Sequence, residues 1–105
     1  MVDAQTTEAY DALVLQLSDE DGVAVTPDGL LVHGKLFAFL DGDALVVELP
    51  EARATDLRER GQAFGFTGGG HELRDWVTIR DLELWPELAR EAHEFVGEPA
   101  VGGQS

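Results

Sequence analysis

Cysteine does not occur in this chain. That excludes disulfides, thiolate metal sites and a cysteine nucleophile, and it fits a reducing compartment. Serine is almost as scarce, with Ser18 at the expected end of a helix and Ser105 at the end of the chain. No Ser-His-Asp arrangement can be assembled from them. Lys35 is the sole lysine. No apolar run approaches the ~20 residues that cross a bilayer. The opening Met1–Glu8 has neither the basic start nor the apolar stretch of a signal peptide. The expected location is the cytoplasm, with no membrane partner.

Positive charge is the other shortage. Seven basic residues stand against 21 acidic ones, a formal net charge of −14. Such a surface stays soluble and repels polyanions over a Debye length of ~8–10 Å. A nucleic-acid partner is not expected, because counterion release needs lysines and arginines facing phosphates.

What is present is an ordinary globular chain. Its 105 residues, 44% of them hydrophobic, make a single domain over 1–105. The ordered core is expected at about 8–97, and 98–105, which lacks any apolar period, is expected to be a flexible tail. Tyr10, Leu13, Val14 and Leu17 follow a 3.6-residue period and predict a helix from Glu8 to Leu17. Val23–Thr26 is β-prone, and Pro27-Asp28-Gly29 has turn chemistry. Leu30–Val32, Lys35–Leu40 and Ala44–Leu49 then read as a β-meander joined by His33-Gly34 and Asp41-Gly42-Asp43.

The two longer strands are apolar on both faces. A meander with one wet face alternates apolar and polar residues, so both faces of this sheet are expected to be covered. Three helices can cover one face. The other needs more chain, a helix of this same chain or a second subunit, and a homodimer is the partner state this suggests.

Pro50 is placed at the first position of a second helix running to about Arg60, with Gly61 ending it. Ala63–Phe66 reads as a short strand and Thr67–Gly70 as a flexible loop. A further strand starts at Leu73 or Trp76 and runs to Arg80, with Trp76, Thr78 and Arg80 on one side and Val77 and Ile79 on the other. A last helix spans about Pro86–Val96, with Trp85, Leu88, Ala89, Ala92, Phe95 and Val96 as its apolar stripe. The fold class is α+β: one antiparallel sheet of four to six strands with a central meander, packed with three α-helices.

Motifs for chemistry are weak. His33, His71 and His93 have no histidine partner at helical spacing, so no metal site is expected. Asp41-Gly42-Asp43 lacks the further oxygen ligands of a calcium loop. Gly68-Gly69-Gly70 lacks the lysine of a phosphate loop. Arg53, Arg58 and Arg60 interleave with Glu51, Asp56 and Glu59, a mixed face and not a phosphate-binding one. If a ligand groove exists, Lys35, His71, Arg74 and Trp76 are its expected lining.

The run Leu30-Leu31-Val32-His33-Gly34-Lys35-Leu36-Phe37-Ala38, followed by Ala44-Leu45-Val46-Val47, resembles the TfoX N-terminal domain-like family and the MmcQ/YjbR-like proteins, which carry a "dGKmFA" strand before a second apolar strand. Arg74–Ile79 is similar to their later "W-V-x-V" strand, and Leu88–Val96 to their final helix, so the resemblance spans about residues 8–97. The basic residue that usually ends the second meander strand is replaced by Glu48-Leu49, so no anion site is implied there. The resemblance implies a compact α+β fold and no established catalytic activity; no cofactor is expected. The expected function is a non-catalytic protein-interaction or regulatory module. The alternatives are a DNA-associated transcriptional or competence-type regulator, which the family's labels suggest, and a small-molecule-binding protein.

Overall fold

The computed structural model describes residues 4–68 and 70–97; the expected tail at 98–105 and Gly69 of the expected loop lie outside them. Helix α1 (Ala4–Leu17) leads into strands β1 (Val23–Thr26), β2 (Gly29–Val32), β3 (Lys35–Asp41) and β4 (Ala44–Glu48). Helix α2 (Glu51–Glu59), strands β5 (Phe64–Gly68) and β6 (His71–Ile79), a 3-10 turn (Leu82–Leu84) and helix α3 (Trp85–Gly97) complete the order. The strands form one antiparallel sheet in the order β1-β2-β3-β4-β6-β5. This is the expected α+β architecture.

The departures are local. Helix α1 starts a turn earlier than its apolar stripe, and its added turn buries Thr6. The meander includes β1, so it has four strands. Pro50 caps α2 with extended backbone (φ −54°, ψ 145°) and is not its first helical residue. Thr67 and Gly68, read as loop, continue β5 opposite Glu72 and His71, because β6 begins at His71 and offers them partners. His33 and Gly34 both have positive φ, 52° and 82°. That geometry matches the right-handed twist of the strands they join. At Gly29 a Cβ would stand 2.5 Å from the Ala38 carbonyl oxygen and 2.7 Å from the Phe39 Cβ, so only glycine lets β2 lie so close to β3.

All three helices lie on one face. Helix α3 packs on β2, β3 and β4, α2 on β6 and β5, and α1 on α3. Register decides which side chains meet them. Leu40, Ala38, Leu45, Val47, Val77 and Ile79 share that face through the β3–β4 and β4–β6 pairs. All but Leu40, which packs against it half-buried, join Leu13, Leu17, Ala54, Leu57, Trp85, Leu88, Ala89 and Ala92 in one core cluster. A bulge in β3 opposite Leu30 and Leu31 turns Phe37 to the same side, where its ring meets His93 of α3 edge-on at 5.6 Å. The Trp85 indole N–H donates to the Ile79 carbonyl at 3.0 Å, pinning the start of α3 to the end of β6. Phe95 departs from the expected stripe: it lies at the rim and is 41% exposed.

Candidate interaction surface

The opposite face of the sheet receives no helix among the described residues. Alternation and register assign it Leu31 of β2, Leu36 and Phe39 of β3, Ala44, Val46 and Glu48 of β4, Trp76 and Thr78 of β6 and Phe64 and Phe66 of β5. None of these apolar residues belongs to the core cluster under the helices. The expectation of two covered faces therefore holds for one face within a single chain.

The bare face partly covers itself. The Phe39 ring meets Phe66 at 5.6 Å and Trp76 at 5.8 Å, within the range where aromatic pairs attract. Val46 lies at the centre of this face and is fully buried there without any helix above it. Leu31, Leu36, Phe39, Phe66 and Trp76 stay half-buried. Phe64, on the edge strand, is 50% exposed.

Among the described side chains, charge on this face lies at its two ends. At one end Glu48, cross-strand from Trp76, shares a hydrogen bond with Asp75. Burial, then that hydrogen bond and the charge of Asp75, push the Glu48 carboxyl up to about 7, while nearby Lys35 pulls it down. At the other end Asp41 pairs with Ala44, and the Arg80 guanidinium sits over the Phe64 ring at 5.1 Å, a cation–π contact.

Of the four residues expected to line a groove, Trp76 lies on the bare face cross-strand from Glu48, while Lys35, near enough to Glu48 to influence its charge, stands opposite the core residue Val32 on the helical side. Arg74 reaches instead toward α2, with Nη1 3.5 Å from Glu51 Oε2, and its carbonyl accepts from Arg58. His71 is exposed at the far tip of the β5–β6 hairpin, opposite Gly68. Sequence reasoning missed the Glu48–Asp75 pair. The signal was there: Glu48 is the lone charge in the run Ala44–Leu49.

The helical side is strongly acidic and internally paired. Arg53 Nε and Nη2 donate to Glu91 at 2.9 and 3.0 Å, bridging α2 to α3. Arg60 pairs with Asp56 at 3.0 Å. Beside the bridge lies an open groove lined by Pro50, Arg53, Glu91, Glu94 and Phe95. Among the described residues no group of three or more His, Asp or Glu side chains could hold a metal ion, and no helix is long and apolar enough to cross a membrane.

With this geometry in hand, comparison with protein-family models, characterised proteins and solved structures finds no match for the chain.

Proposed function

We propose that this chain is a non-catalytic interaction module that acts through the helix-free face of its sheet. The supporting observation is how charge is distributed. In a chain of net charge −14, that face carries an aromatic and aliphatic band, with carboxylates only at its ends among the described side chains. An apolar patch rimmed by polar residues is the ordinary mark of a protein contact. A nucleic-acid partner fits less well, since Arg53, Arg60 and Arg74 each already face a carboxylate. Membership of the TfoX N-terminal domain-like or MmcQ/YjbR-like group belongs to the same proposal. Its support is the run 30–38 with 44–47 and the order of elements around it. So does a cytoplasmic location, supported by the lack of cysteine.

The test is site-specific photo-crosslinking in cells that produce the protein. A photoreactive phenylalanine analogue at position 64 is expected to give covalent adducts with protein segments identified by mass spectrometry. The same analogue at position 15 on α1, 72% exposed, is expected to give none. No adduct at position 64 would overturn the reading.

A further inference from the structure

The interaction reading leaves open what covers the bare face, and the inference below rests on that reading. We infer that the occupant is a second copy of this chain, stacked sheet on sheet, with the helices of both copies outward and the aromatic bands of Phe39, Phe66 and Trp76 facing each other.

Charge favours a second copy over a basic partner. Although the chain carries −14 overall, the two ends of this face differ in charge: Glu48 with Asp75 lies at one end, and Arg80, over the Phe64 ring, lies at the other. No ion pair to Arg80 is found among the described residues. A two-fold axis running across the strands sets opposite ends of the two faces against each other. It sets Arg80 of one copy against the Glu48–Asp75 end of the other. The face is thus complementary to itself, as a two-fold interface must be. A strongly basic partner would instead find its counter-charges on the helices and in the turns.

Distance removes the objection from net charge. Packed sheets stand ~10 Å apart. A helix layer outside each sheet adds roughly another 10 Å. The acidic outer surfaces of the two helix layers, which carry Glu59, Glu87 and Glu94, are then about 30 Å or more apart, several Debye lengths at physiological salt.

Area sets the strength. Six strands spaced ~4.8 Å apart and about 20 Å long give a flat footprint of about 500 Å². A stable complex of standard size buries ~800 Å² of accessible surface per partner. The aromatic rings have also covered Val46 already, so the gain comes from their outer surfaces, from Leu31 and Leu36, and from Phe64. This fits a weak dimer with Kd in the micromolar range, about −8 kcal/mol at ~1 μM.

Sedimentation equilibrium of the purified chain, from micromolar to millimolar concentration, tests this. The wild type is expected to pass from monomer to dimer. Thr78→Asp, beside Val46 on the face, is expected to weaken association at least tenfold with an unchanged circular dichroism spectrum. Phe64→Asp, at the more exposed edge, provides the same readout should Thr78→Asp disturb folding. Leu15→Asp, on the helical side, is expected to leave association unchanged. A strict monomer at millimolar concentration would overturn the inference. So would a dimer untouched by both face variants, or one abolished by Val25→Asp on edge strand β1 and not by the face variants. A purified monomer whose position 64 still crosslinks to a different protein in cells removes the second copy and keeps the interaction module. Failure of crosslinking removes both.

Discussion

Glu48 is the residue where composition and position pull hardest against each other. It sits among apolar neighbours with Asp75 beside it, and its carboxyl is pushed up to about 7 by burial first and by Asp75 next. The folded chain therefore holds this proton more tightly than the unfolded chain, whose carboxyl has an ordinary value near 4.5. The stability this group contributes is complete below the unfolded value and is lost as pH rises through about 7. Glu48→Gln keeps the hydrogen-bonding shape without the charge. It is expected to melt above the wild type at pH 8, with the difference shrinking as pH falls toward 4.5. Thermal melts of both proteins across that range check it, and a gap that does not depend on pH would count against a proton held by Glu48. Nothing in the sequence announces Asp75 as the partner. The pair exists because β6 lies beside β4, a long-range fact, and the backbone bond from Leu49 N to Asp75 O (2.8 Å) holds it there.

Elements were more legible than the contacts between them. Three helices and the meander follow from periodicity, and the His33-Gly34 and Asp41-Gly42-Asp43 connections follow from turn chemistry. Two things were not legible. Thr67 and Gly68 look like loop, and they become strand only because the long β6 offers them partners. The arginines of α2 look like a solvated mixed face, yet Arg53 reaches Glu91 on α3, which no local pattern encodes. That bridge is bidentate, with Nε–Oε1 at 2.9 Å and Nη2–Oε2 at 3.0 Å, and both side chains are about one-third exposed. Two parallel charged hydrogen bonds at such a site contribute about 1 kcal/mol. Arg53→Met, which keeps much of the aliphatic stem, is expected to lose about that much. A double-mutant cycle with Glu91→Gln should return it as coupling that shrinks in high salt. A cycle closing at zero would reduce the bridge to a surface contact.

At the scale of the whole molecule, the acidic surplus is sorted. Turns and helices carry most of it, while β1, β2 and β5 carry no charged residue at all. The doubly apolar strands announced two covered faces, and three helices supply one cover. The sequence could not say what supplies the other, because a side chain buried by its own chain and one buried by a neighbour have the same hydropathy. Phe39 and Val46 illustrate the point: equally apolar in the sequence, they end as a half-buried ring and a fully buried residue beneath it.

The strand order also governs how the molecule comes to exist in time. Strands β1 to β4 pair as successive hairpins, and β5 pairs with β6 in the same way, so each of these contacts closes a short loop. Joining β4 to β6 is different: the chain must bring Trp76 back to Glu48 around α2 and the whole β5–β6 hairpin. Closing that longer loop is expected to be the slow entropic step, after the local hairpins. Lengthening the connection after Gly61 with glycine and serine should slow refolding, by about threefold for a doubling of the loop, at ~0.6 kcal/mol per doubling. Unfolding should keep its rate. Stopped-flow kinetics decide it, and a change confined to unfolding would mean that the two halves of the sheet join only after the barrier. On that order of events the one sheet would be completed last, at the β4–β6 seam.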